Sequence, residues 1–180
     1  MNLPIFKYHP DPIATKCVEA STTQCLCCEQ ARGFIYTGPV FAEEELNESI
    51  CPWCIADGSA HEKFEAEFTD FAGVGSDDDR MPLPDRIIEE VSWRTPGFSG
   101  WQQEKWLACC GDASAFLGRA GADELTSKWP EAIPALMKEA GLTAKQWERY
   151  FKRLDAEESP TAYVFRCLHC AKLSGYSDSD

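Results

Sequence analysis

The chain has 180 residues, enough for one sizeable hydrophobic core or two small ones. With 44% hydrophobic and 12% aromatic residues, its composition is that of a folded protein and excludes a disordered one. A net charge of −13 argues against nucleic acid as a partner, because phosphates are repelled unless the charge is strongly segregated.

Residues 1–24 read as extended and irregular, since Pro4, Pro10 and Pro12 break any helix. GFIYTGPVF at 33–41 is β-branched and aromatic around Gly38-Pro39, which predicts a strand–turn–strand hairpin. AEEEL at 42–46 predicts a turn or short helical step, with Glu43, Glu44 and Glu45 solvated. Ile55, Phe64 and Phe68 recur at helical spacing and predict a helix over 55–68, with Gly58 weakening its start. DFAGVGSDDDRMPLP at 70–84 reads as a loop and as the best domain boundary. Asp77, Asp78 and Asp79 in it lack the spaced ligands of a calcium loop and read as solvated.

Pro84-Asp85 opens a helix running to about Val91. SWRTPGFSGW is turn-rich, QQEKWLACC reads as strand or helix, and GDASAFLG as a short helix capped by Gly118. Helices are expected over 123–128, 131–140 and 144–154, with Gly141 ending the second and Thr143 capping the third. TAYVFRC at 161–167 is a strand, and AKLSGY at 171–176 pairs back on it in a second hairpin. The final SDSD predicts a soluble tail.

No apolar run approaches the roughly 18 residues that cross a bilayer. The start, MNLPIFKYHPDPIA, lacks the regions of a signal peptide. Both predict a cytoplasmic protein, a compartment where structural disulfides are uncommon. The ten cysteines therefore need another explanation. All but Cys17 fall in close groups, which is what metal coordination asks for.

Cys25 and Cys28 form one C-x-x-C pair, and Cys51 and Cys54 form another. Such a knuckle points both sulfurs at one ion, and two knuckles supply the tetrahedron zinc prefers, with Zn–S bonds of about 2.3 Å. The intervening hairpin brings the pairs together, and the helix after Cys51 favours thiolate through its dipole. This order resembles a treble clef and predicts a structural zinc. Cys27 is an alternative to Cys25, although the two-residue gap favours Cys25 with Cys28. CPWC also matches a thioredoxin-like redox motif, but EEELNESI before it is a poor central strand.

Cys167 and Cys170 make a further knuckle, and Cys109 with Cys110 is the pair left to complete a second zinc. His169, His9 or Cys17 are alternative corners, and the bland reading puts Cys109 and Cys110 in a packed core beside Trp106 and Leu107. The expected cofactor is zinc, one ion or two. Spheres of four thiolates leave no place for substrate, so they predict a structural role.

WRTPGFSGWQQEKW at 93–106 reads as core anchors, with a partner surface as the alternative. Asp112 reads as a helix cap more than as a catalytic group, and no catalytic set or phosphate loop stands out. Trp147, Tyr150, Phe151 and Leu154 have core-like spacing.

FKYHPDP, ARGFIYTGPVFAEEEL, CPWCIADGSA, RTPGFSGWQQEKWL, CCGDASAFLG and FRCLHC together resemble the CbrC family, over nearly the whole chain. The resemblance implies a bacterial cytoplasmic protein, linked by family name to colicin tolerance and a carbon-source-responsive regulon. It carries over no catalytic residue.

The expected fold is α+β. A zinc-ribbon or treble-clef-like unit spans 1–75, and a helical region with a C-terminal knuckle spans 80–180, the two separate or fused. The expected function is non-enzymatic, through an unknown protein partner, in bacteriocin tolerance or stress. The alternative is a thiol-based redox enzyme or sensor using Cys51/Cys54 or Cys109/Cys110.

Overall fold

The computed structural model describes residues 3–75 and 82–180. Within them the chain is mixed α+β, built from short helices and small antiparallel sheets. Asp77, Asp78 and Asp79 lie outside the described residues.

The first sheet differs from the expected hairpin. β1 (Val18–Ala20) comes from the segment read as irregular, and pairs with β2 (Phe34–Tyr36), matching Val18 to Tyr36. After Tyr36 the chain does not return as a strand. Instead the Tyr36 hydroxyl folds back to donate to the Pro39 carbonyl at 2.9 Å. Gly38 makes this possible, since a Cβ there would lie 2.5 Å from that hydroxyl. Phe41 meets Glu67 in an isolated bridge.

The helix expected over 55–68 starts earlier and breaks in two. α1 (Pro52–Ala56) has Pro at its first position, where no N–H is needed. Gly58 then turns left-handed at φ 84°, and α2 (Ser59–Phe64) ends at Glu65, φ 51°. α3 (Asp85–Arg94) runs three residues past the expected end and buries Ile87 and Val91.

GDASAFLG is not helical. β3 (Ala108–Cys109) and β4 (Asp112–Ala113) form a tight hairpin, and β5 (Ala115–Ala120) enters a three-stranded sheet. β6 (Thr161–Arg166) is the central strand and pairs with both β5 and β7 (Leu173–Asp178), in the order β5-β6-β7. Burial on both faces, not local propensity, makes this segment a strand. The SDSD end is docked rather than free: Asp178 belongs to β7, and Asp180 accepts from the Ser159 hydroxyl at 2.5 Å.

The three expected helices are present, the third ending at Phe151, three residues short of the expected 154. α4 (Ala122–Ser127), α5 (Ile133–Glu139) and α6 (Ala144–Phe151) follow in order, with a 3₁₀ turn at Pro130–Ala132. Thr143 caps α6 by accepting from the Gln146 N–H. Gly141, at φ 62°, follows α5.

The β5-β6-β7 sheet divides the core. Ala162 and Val164 face a helical cluster that includes Leu125, Leu136, Trp147 and Leu154. Tyr163 and Phe165 point the other way, alternating as strand side chains do, and join Phe98, Trp106 and Phe116 in the larger cluster. That cluster runs back through Tyr36 and Ile55 to Phe6. Phe98 and Trp106 are thus core anchors, while Trp101 is partly exposed and donates its indole N–H to Thr161. Glu43, Glu44 and Glu45 are exposed.

Candidate metal centres

Each end of the chain folds one C-x-x-C pair into the same knuckle. At the first, the Cys25 N–H donates to the Gln30 carbonyl at 3.1 Å and Glu29 N–H to the Cys25 carbonyl at 2.8 Å. At the second, Cys167 N–H donates to Lys172 at 2.9 Å and Ala171 N–H to Cys167 at 3.2 Å. Both knuckles turn through a left-handed residue after the second cysteine, Glu29 at φ 57° and Ala171 at φ 58°. This tight turn aims two sulfurs to one side and leaves backbone N–H groups beside the first sulfur.

Each knuckle meets a cysteine pair from a distant segment. Leu26 N–H bonds the Ser49 carbonyl and Tyr36 N–H bonds Ile50, so β2 and the knuckle both grip the strand-like approach to Cys51. Cys51 is the N-cap of α1, and Cys54 lies one turn on. The sulfurs of Cys25, Cys28, Cys51 and Cys54 then fall within 4.8 Å of one another. Cys51 and Cys54 are 3.6 Å apart, Cys28 and Cys51 3.8 Å, and Cys25 and Cys54 3.9 Å. Cys27 turns away from this group to Ser59 Oγ at 3.5 Å. The Lys63 ammonium of α2 donates to the Leu26 and Cys27 carbonyls, bracing the knuckle.

The second group joins Cys109, Cys110, Cys167 and Cys170, again within 4.8 Å. Adjacent strand residues normally face opposite ways. Cys110 and Gly111 form the β3–β4 turn at φ 56° and φ 74°, which swings Cys110 round so that its sulfur lies 3.7 Å from that of Cys109. Cys109 is also 3.9 Å from Cys170. The first group is largely buried, whereas Cys110 and Cys170 are exposed.

Charge is shared unequally among sulfurs this close. The thiol of Cys25 is held down to about 4 because the Cys51 thiol donates to it, helped by N–H groups of Cys28, Cys51 and Cys27 and opposed by burial. The Cys51 N–H lies 3.2 Å from that sulfur. Cys51 is pushed up chiefly by its bond to Cys25, and Cys54 chiefly by burial. The dipole help expected from the following helix is small, since α1 has only five residues. In the second group burial pushes Cys167 up. The N–H groups of Cys170 and His169, each 3.4 Å away, outweigh it and leave the thiol at about 6. A cation among four sulfurs would favour thiolate at all of them.

The alternative corners go elsewhere. His9 is fully buried, its Nδ1 2.6 Å from the Pro96 carbonyl and its Nε2 2.7 Å from Thr15 Oγ1. Cys17 is a buried thiol pushed up to about 11 by burial. His169 turns its Nε2 to Asp112. Asp112 itself does not cap a helix: it accepts from Tyr8, Lys7 and His169 in a cleft lined also by Arg86 and Trp93. Sequence reasoning missed this network, whose members come from three distant segments.

Fold and sites define the class: an α+β protein with two groups of four cysteines that could each hold a metal ion. The chain belongs to an uncharacterised protein family, UPF0167, whose model matches residues 3–179. A UPF0167 protein of Mycobacterium bovis is 50% identical over 179 residues, covering 98% of this chain and 93% of its own. A UPF0167 protein of Mycobacterium tuberculosis gives the same figures. One from Pseudomonas aeruginosa is 43% identical over 176 residues, covering 94% of this chain and 93% of its own. No solved structure matches the chain. These matches carry the UPF0167 name, and none mentions CbrC or colicin. No helix among the described residues is long and apolar enough to cross a membrane.

Proposed function

We propose that this is a non-enzymatic protein held together by two structural zinc ions and acting through a protein partner. The observation that carries the metal reading is the convergence of two sets of four sulfurs, each within 4.8 Å. An all-sulfur set suits zinc, and four protein ligands leave no position for substrate. The ligands are Cys25, Cys28, Cys51 and Cys54 at one site, and Cys109, Cys110, Cys167 and Cys170 at the other. The first site reads as treble-clef-like, with a knuckle followed by a helix-borne pair. The units over 1–75 and 80–180 read as fused, which their shared core supports.

A partner role is supported by Leu26 and Leu168, the second residues of the two knuckles, which both face solvent. Cytoplasmic location and a part in bacteriocin tolerance rest on the sequence and on the CbrC resemblance. Metal analysis of native protein tests the core of this reading. Two zinc ions per chain are expected, one lost in Cys54→Ser and the other in Cys170→Ser. A folded, metal-free sample would sink it. Turnover of a small substrate without any reproducible partner would sink the non-enzymatic part.

The thiol-redox reading is separated by alkylation. Zinc-bound cysteines react slowly until the metal is chelated, whereas a redox pair reacts fast from the start.

A further inference from the structure

The chain carries 30 acidic residues against 17 Lys and Arg, so cations gathered in one place stand out. Lys105, Lys128, Lys138, Arg166 and Lys172 all line one groove of about 1130 Å³. They come from five places: the segment before β3, the α4–α5 connection, α5, the end of β6, and the segment between the second knuckle and β7. A single charged helix face would place them in sequence; here only folding does. Glu131 and Glu139 are the acidic residues of the lining, and Cys170 of the second cysteine group lines it too, so a zinc held by four thiolates would set two negative charges beside the five cations. Among the described residues none of the five cations is in an ion pair; the salt bridges go to Lys7, Lys16, Lys152 and His169.

Apolar residues share the lining with these charges. Leu117 and Leu173 of the sheet, Pro134 and Ala135 of α5, and Trp129 line the groove as well. The Lys128 ammonium sits 5.9 Å from the centre of the Trp129 ring, so a cation and a flat aromatic face are adjacent. The Lys105 ammonium is 5.6 Å from the Tyr176 ring. Its backbone N–H donates to the Tyr176 hydroxyl at 3.1 Å, which fixes the segment that presents it.

We propose that this groove binds a small organic polyphosphate with a flat ring, of the nucleoside di- or triphosphate class. Five cations brought in from separate segments can meet several phosphate oxygens at once, which a single carboxylate does not offer. The indole and the leucines suit the ring. Size follows from the rest of the surface. At physiological ionic strength screening acts over about 8 Å, so a ligand inside the groove feels mainly its cations. A long nucleic acid or an acidic protein would also lie against the negative surface around it.

Calorimetric titration of the native, metal-containing protein with ATP as probe tests the assignment. Binding is expected for ATP, with adenosine and inorganic phosphate each at least about tenfold weaker. Lys128→Ala and Lys138→Ala should each weaken ATP by roughly tenfold, the loss of one charged hydrogen bond. Trp129→Leu should weaken ATP by roughly fivefold or more through lost stacking and leave tripolyphosphate unchanged. Lys152→Ala, outside the groove, should change nothing. Lys138 is remote in sequence from every cysteine, and zinc measured on the same samples reports on the metal sites separately. No ATP binding at millimolar concentration overturns the proposal, and so does unchanged affinity in the Lys128 and Lys138 variants. Tighter binding of an oligo-dT or polyglutamate probe, lost in those variants, also overturns it by making the groove a macromolecular site.

Discussion

Asp112 and His169 are joined by a 2.9 Å hydrogen bond, His169 Nε2–H donating to Asp112 Oδ2. Asp112 is buried and also accepts from the Tyr8 hydroxyl at 2.7 Å and the Lys7 ammonium at 3.1 Å. One carboxylate therefore fastens the N-terminal segment to the second cysteine knuckle. These donors hold the Asp112 carboxyl below its usual range despite burial, which pulls the other way. Asp112→Ala takes away the acceptor of the buried Tyr8 O–H, leaving that oxygen only the Lys7 ammonium that donates to it at 2.7 Å, and should cost about 1 to 3 kcal/mol in urea unfolding. Asp112→Asn, which keeps an acceptor, should cost less. Equal stability of Asp112→Ala and wild type would show that the network contributes nothing to the fold.

The two cysteine groups should open in a fixed order. Cys110 and Cys170 are exposed, while Cys25, Cys51 and Cys54 are buried. With a chelator present, and with Cys17→Ser and Cys27→Ser in place because both lie outside the two groups, four thiols should react with a disulfide reagent in a fast phase and four in a slow one. Mass spectrometry of the half-modified protein should find the label on Cys109, Cys110, Cys167 and Cys170. Metal binding contributes on the order of 10 kcal/mol to such units, so Cys28→Ser should also open the N-terminal region to proteolysis.

His9 sets an acid limit on stability. Burial lowers its pKa from 6.5 to about 4, more than the Pro96 carbonyl and Asp11 raise it. Its folded pKa lies below the unfolded one, so the unfolded chain binds the proton first. The stabilisation is complete above pH 6.5 and is lost as pH falls towards 4. The loss approaches about 3 kcal/mol. Zinc release adds its own pH dependence, so the comparison is between wild type and His9→Gln. The variant should be less stable at pH 7.5 and show a shallower decline between pH 6.5 and 4.

Gly97 is a packing constraint rather than a turn requirement. A Cβ on it would lie 1.7 Å from the Phe68 carbonyl oxygen and 3.0 Å from the Thr69 hydroxyl. That carbonyl belongs to backbone whose N–H is tied to Ser92 at 2.7 Å, so it cannot simply move. Gly97→Ala should cost about 3 kcal/mol or more, read as a drop in melting temperature with metal content preserved.

Local chemistry was legible wherever a few neighbouring residues suffice. Two of the three C-x-x-C pairs, Cys25/Cys28 and Cys167/Cys170, fold as the expected knuckles, because the turn closes through backbone bonds within six residues, whereas Cys51/Cys54 is carried by the start of α1 instead. Thr143 and Gly141 likewise mark α6 and the end of α5 through short-range capping. Folding decided what depends on distant partners. β2 pairs upstream with β1 instead of making its own hairpin, and GDASAFLG becomes strand because β6 lies beside it. Cys110 reaches its group only through the left-handed turn at Cys110-Gly111. The five cations of the groove lie between positions 105 and 172, and no pattern along the chain joins them. Local sequence can specify a turn whose hydrogen bonds span a few residues, but which surfaces meet depends on burying the whole apolar core at once.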